Sequence, residues 1–156
     1  MSTLERAIEI AVAAHKAQTD KGGNPYILHP LRVMNSLDTE QEMIVGVLHD
    51  VVEDCSDRGY TFDYLKSQGF SQSVLDALGS VSKTPEEEKV LKSLAGDERV
   101  EAYLRFVSRA KADPIGRRVK RADIEDNLDT SRLGELTRKD EFRLAQYKAA
   151  LAFLDC

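Results

Sequence analysis

The chain has 156 residues, of which 42% are hydrophobic and 31% charged, and a formal net charge of −5. That length suits a single domain over residues 1–156 with one core, burying roughly 68–70% of the surface its unfolded form exposes, and the composition argues against a disordered or membrane chain. The negative charge argues against a nucleic-acid partner, because phosphate backbones favour a basic footprint.

In chain order, MSTLERAIEI lacks the basic, apolar and small-residue order of a secretory signal, and no apolar run nears the roughly 18 residues of a membrane span. The expectation is a cytoplasmic protein. Leu4, Ile8, Ala11 and His15 recur at helical spacing, which predicts a first helix from about Thr3 to Gln18. TDKGGNPY gathers Gly22, Gly23, Asn24 and Pro25 into a loop; no GKS or GKT follows, so it is not a P-loop. HPLRVMNSL reads as a short helix with Pro30 in its first turn, where amides have no helical partner anyway.

Thr39 with Glu42 forms a capping-box pattern for a helix running through Met43, Val47, Val51 and Glu53. Thr61, Ser71 and Thr84 read as N-caps, the last followed by Pro85 and three glutamates that suit a helix dipole. VEAYLRFVSRAKAD predicts a helix ending near Asp113, Pro114 opens the next, and EFRLAQYKAALAFLD closes the chain. No alternating run long enough for a strand occurs, and no repeat or linker. The fold class is all-α, with roughly eight helices.

The chemistry concentrates in VLHDVVEDC. His49 and Glu53 stand one turn apart on a helix, as do Asp50 and Asp54, while Val47, Leu48, Val51 and Val52 draw the segment into the core. Buried charges need partners, and a divalent cation would satisfy them. In VKRADIEDNLDTSRL, Asp123, Asn127 and Thr130 share a helical face, so Asp123 could complete a metal site; Asp126 and Asp129 read as solvated or paired with Arg132. His29 opens a helix after a loop, whereas His15 lies on an apolar stripe and reads as a core histidine. The two cysteines, Cys55 and Cys156, indicate neither a disulfide framework nor a thiolate site, and Cys55 reads as packing. The basic run Arg117 to Arg121 has two readings, a solvated helix face or a partial attraction for a small phosphorylated ligand.

AHKAQTDKGGNPYILHPLRV, VLHDVVEDC and VKRADIEDNLDTSRL together resemble, in order and spacing, the HD-type hydrolase domain of the RelA/SpoT family, from about Ala14 to Leu133. The resemblance implies an all-α HD-domain fold around one metal site, bound manganese, and removal of the 3′-pyrophosphate of the stringent-response alarmone (p)ppGpp to give GDP or GTP. A chain this short is similar to small stand-alone hydrolases, the metazoan SpoT homologue among them. The implied metal ligands are His29, His49, Asp50 and Asp123, and the catalytic acids Glu53 and Asp54. Asn127 and Thr130 fall at nucleotide-contacting positions, Lys21 near the phosphates, and Tyr26 on the pocket wall; Lys83 resembles a further family position and reads equally as an exposed lysine.

Two imidazoles and two carboxylates suit manganese, iron, nickel or zinc; the resemblance selects manganese. Asp20 stands where the family has an arginine that packs on guanine, and Glu125 and Asp126 also depart from its pattern. Asp20 raises an alternative nucleotide, for instance NADPH losing its 2′-phosphate. A catalytically silent nucleotide-binding module is the reading from another class. The implied partner is a small-molecule nucleotide, with no membrane; a homo-oligomer is left open.

Overall fold

The computed structural model describes residues 2–156. Among these residues ten α-helices follow one another: α1 Leu4–Ala14, α2 Leu28–Asn35, α3 Glu40–Leu48, α4 Val51–Cys55, α5 Phe62–Ser67, α6 Gln72–Val81, α7 Pro85–Ser93, α8 Gly96–Lys111, α9 Pro114–Leu128 and α10 Arg138–Asp155. Among the described residues there is no strand, only an isolated antiparallel bridge between Thr19 and Pro25 that pinches the glycine loop. The all-α expectation holds. No helix among the described residues is long and apolar enough to cross a membrane.

Local chemistry sets most helix starts. The hydroxyls of Thr3, Thr39, Thr61 and Ser71 each accept the amide hydrogen of the residue three positions on, satisfying donors that have no partner within the helix. Thr84 with Glu87 and Thr137 with Asp140 form complete capping boxes. The second of these starts α10 before the expected EFRLAQ segment. At Thr39 the box is only half made, because Glu42 accepts from the Asp38 amide instead. The first helix also ends sooner than its periodicity predicts: Ala14 is its last residue, and Ala17 takes a left-handed conformation at φ 68°.

Two apolar clusters replace the single expected core. One gathers Ile10, Val33, Val45, Leu48, Leu65 and Leu78, and the other Leu91, Phe106, Val107, Ile124 and Leu154. Helix α9 joins them, contributing Val119 to the first and Ile124 to the second, and it packs against α2, α3, α6, α8 and α10. A helix surrounded in this way must bury its polar residues too, which sets up the site.

Candidate metal centre

The expected continuous helix through VLHDVVED is interrupted at its histidine–aspartate pair. Helix α3 stops at Leu48 and α4 begins at Val51, so His49 and Asp50 occupy the turn between them. The Nδ1 of His49 bonds to the carbonyl of Gly46 at 2.6 Å, the carbonyl that the Asp50 amide would take in an uninterrupted helix. Gly46 itself permits the close approach of α3 to α2, since a Cβ there would lie 2.7 Å from a Leu37 methyl and 3.4 Å from the Met34 Cα.

That approach brings His49 beside His29 in the first turn of α2. Their Nε2 atoms are 3.3 Å apart. The Oδ1 of Asp123, on α9, lies 3.0 Å from His29 Nε2 and 3.3 Å from His49 Nε2. Asp50 Oδ2 lies 3.1 Å from His49 Nε2 and 3.7 Å from His29 Nε2. Both histidines and Asp123 are more than nine-tenths buried, and their ligand atoms form a mutually close group.

The donors fit a divalent cation. A carbonyl can only accept, so His49 carries its hydrogen on Nδ1; His29 likewise turns Nδ1 to the Asp126 carboxylate at 2.6 Å. Both Nε2 lone pairs therefore face the carboxylates and each other, an arrangement that demands a positive charge between them. Oxygen and nitrogen ligands about 2.1 Å from one ion sit roughly 3 Å from their neighbours, matching the spacings here. Protons compete for this role. Burial disfavours charge on His29, yet bonds to Asp123 and Asp126 hold its pKa up, to about 9. His49 is raised in the same way by Asp50 and Asp123. Burial would lift Asp50 and Asp123, but the histidines beside both, and Lys120 beside Asp123, hold these acids low.

A surrounding layer of bonds orients the four side chains. The Tyr26 hydroxyl donates to Asp50, while its ring packs between His15 and His29. Lys120 Nζ reaches Asp123 Oδ2 at 3.0 Å, and Asn127 Nδ2 reaches Oδ1 at 3.1 Å. Lys120 is almost fully buried and lies 4.9 Å from the centre of the Phe106 ring, so this member of the basic run belongs to the site. Its neighbours turn elsewhere: Arg117 bonds to the Leu154 carbonyl, Arg118 reaches Asp38, and Arg121 pairs with Glu125 and Asp155.

A cavity of about 460 Å³ adjoins the cluster, lined by Tyr26, His29, Asp50, Asp123 and Asn127, and also by Glu53 and Asp54. Lys21, Lys83, Arg99, Lys120, Arg132 and Arg143 add cationic groups to its lining. Glu53 accepts from the Lys83 amide at 3.1 Å and from its ammonium at 3.4 Å. Burial raises the pKa of both acids, and for Asp54 the charges of Asp50 and Glu53 help carry it to about 7.

Lys21 reaches this cavity while its ammonium pairs with Asp140 at 3.1 Å. Thr130 does not line it: α9 ends at Leu128, so the helical face carrying Asp123 and Asn127 stops short of Thr130. Asp20 folds back on its own loop, accepting the amides of Gly22 and Asn24, each at 2.9 Å. His15 is buried with Nδ1 on Gln18 at 2.6 Å, and Cys55 is packed against the Ala14 carbonyl and Arg58, as their flanking sequences predicted.

Asp126 does more than expected. It pairs with Arg132, as does Asp129, but it also binds His29 and Arg32, which the sequence did not suggest. Arg99 and Tyr103 of α8 and Arg143 of α10 also reach the cavity from segments without any motif. Nothing in their local sequence could have pointed there; Asp126, three residues past Asp123, was the detectable one.

The helical architecture and the buried histidine–aspartate cluster define an all-α domain with a candidate divalent-metal site. No family model matches the chain. Over 137 residues it is 35% identical to the "Probable GTP pyrophosphokinase" of Mycobacterium leprae, an alignment covering 85% of this chain and 16% of that protein. It is 31% identical over 141 residues to the guanosine-3′,5′-bis(diphosphate) 3′-pyrophosphohydrolase of Haemophilus influenzae, covering 88% of this chain and 20% of the relative. The Aquifex aeolicus protein of the same name is 30% identical over 131 residues, 81% of this chain and 17% of its own. With these relatives the chain belongs to the RelA/SpoT family, and it spans about a fifth or less of their length.

Proposed function

We propose that this chain is a single HD-type phosphohydrolase domain that removes the 3′-diphosphate of (p)ppGpp as pyrophosphate, leaving GDP or GTP. The observation that carries the reading is the convergence of His29, His49, Asp50 and Asp123 in a buried cluster that opens on a cavity holding two further acids and several cations. Those four side chains would hold a divalent ion, manganese by resemblance to the family. When bound, such an ion lowers the pKa of water and withdraws charge from a phosphoryl oxygen.

The chain's own residues do the rest. Tyr26, Lys120 and Asn127 restrain the ligand carboxylates, so that little reorganisation is needed. Glu53, held by Lys83, orients the attacking water; Asp54, with a pKa near 7, takes or returns its proton. Lys21, Arg99 and Arg143 offset negative charge on the diphosphates.

Asp20 supports a second reading within the same chemistry. Its carboxylate is spent on two loop amides, so the position offers no cationic plane to a purine, which favours another nucleotide such as NADPH. Incubation with manganese and either ppGpp or NADPH, with chromatography of the products, separates the two. Pyrophosphate from ppGpp supports the first reading and phosphate from NADPH the second. Pyrophosphoryl transfer from ATP to GDP, releasing AMP, without hydrolysis would refute both, and tight binding without turnover would leave a silent module.

A further inference from the structure

Each histidine of the cluster needs an acceptor for its Nδ1 hydrogen, and the two acceptors differ in kind. For His49 it is a main-chain carbonyl, which no substitution removes. For His29 it is the side chain of Asp126, which lies seven helices further along the chain on α9. That carboxylate is itself clamped. Arg32, one turn after His29 on α2, donates from Nε to Oδ1 at 2.8 Å and from Nη2 to Oδ2 at 3.1 Å. Arg132 donates from Nη2 to the Asp126 carbonyl at 2.9 Å, reaches Oδ2 at 3.4 Å, and holds Asp129 with Nη1 at 3.1 Å.

We propose that Asp126 is a positioning residue: it fixes the tautomer and ring orientation that aim His29 Nε2 at Asp123, with Arg32 and Arg132 holding the carboxylate in place. The inference rests on His29 being a metal ligand, as in the proposed function. An arginine-clamped carboxylate is suited to the task because a fork of donors fixes its plane, and a carboxylate behind a ligating imidazole strengthens it as a donor. The same clamp ties α2 to α9 and so sets the two helices that bring His29 and Asp123 together.

A purely structural ion pair between α2 and α9 makes a different prediction, and two variants tell them apart. Asp126→Ala removes the acceptor for His29; Arg32→Met breaks the ion pair but leaves the acceptor. Calorimetric titration with Mn²⁺ is expected to show a loss of roughly 10–100-fold in affinity for Asp126→Ala, and a clearly smaller loss for Arg32→Met, in which Arg132 still holds the carboxylate. In the Zn²⁺-loaded protein, the ¹⁵N shifts of His29 should report metal on Nε2 and hydrogen on Nδ1 in wild type and Arg32→Met, and a loss of that pattern in Asp126→Ala. If Asp126→Ala melts too early, the nearly isosteric Asp126→Asn takes its place, and weaker Mn²⁺ binding is expected again, since Arg32 competes for its one remaining oxygen. Unchanged affinity in the Asp126 variant, or an equal loss in Arg32→Met, overturns the inference while leaving the proposed function intact. A wild-type protein that binds no Mn²⁺ overturns both.

Discussion

The Nε2 atoms of His29 and His49 face each other at 3.3 Å although the residues are 20 positions apart. Each ring has its other nitrogen committed, one to Asp126 and one to Gly46. Two lone pairs held so close, with Asp50 and Asp123 alongside, form a trap for positive charge. Protons and a divalent ion must compete for it.

His49→Ala and Asp50→Ala each remove one wall of that trap. Both variants are expected to lose metal retention and turnover together, with Mn²⁺ affinity falling by more than about 100-fold, beyond the usual effect of changing an outer-layer residue. Calorimetry paired with a pyrophosphate-release assay checks this, and full activity in either variant would end the proposal.

Glu53 sits apart from the ligands, held by Lys83. Glu53→Gln should therefore keep Mn²⁺ and lower the hydrolysis rate by roughly 10²–10⁴-fold, the usual range for losing a positioned acid or base. If the variant lost its metal as well, the division between ligand and catalyst would be wrong.

The pH dependence of the metal-free protein has a defined sign. His29 has a pKa of about 9 when folded against an ordinary 6.5, so the stability it adds is complete below pH 6.5 and is lost as pH rises to 9. Asp54, raised from 3.8 to about 7, resists ionisation in the fold and lowers stability over the same rising direction, between about pH 4 and 7. Asp126, lowered to about 2, adds stability above about pH 4 that is lost as pH falls toward 2. Thermal melts in chelator should thus show stability declining from pH 6.5 to 9. With saturating Mn²⁺ the trend should reverse, because ligation requires neutral imidazoles; a chelated protein that gained stability toward pH 9 would contradict this account.

Lys120 closes Asp123 from behind and rests on Phe106. Lys120→Met would leave the carboxylate without that partner in a buried place, at a cost of roughly 3–5 kcal/mol. Urea unfolding of the chelated protein measures the loss, and Mn²⁺ should restore part of it by supplying the missing positive charge. Equal stability of variant and wild type in chelator would mean that the histidine protons already satisfy Asp123.

Much of this was legible in the chain itself. Helix starts were written locally, in Thr3, Thr61, Ser71, Thr84 and Pro85, because a cap bonds within three residues of itself. The apolar flanks of His49 and Asp50 announced that charge would be buried, and hence that it needed compensation. Local rules failed where distant segments intervened. Periodicity carried a helix straight through His49, since it does not register a side chain taking its own helix's carbonyl. It also extended the Asp123 face to Thr130, beyond the end of α9.

The sequence by itself determined an all-α chain with a histidine–aspartate pair forced inward, because propensity, capping and hydrophobic spacing act over a few residues. Only the tertiary structure decided which partners meet that pair. Asp126 behind His29, Lys120 behind Asp123, and Arg99 with Arg143 across the cavity come together because α9 packs against five other helices. A contact between helices has no local periodicity to reveal it, since its geometry arises from how whole apolar faces settle against one another.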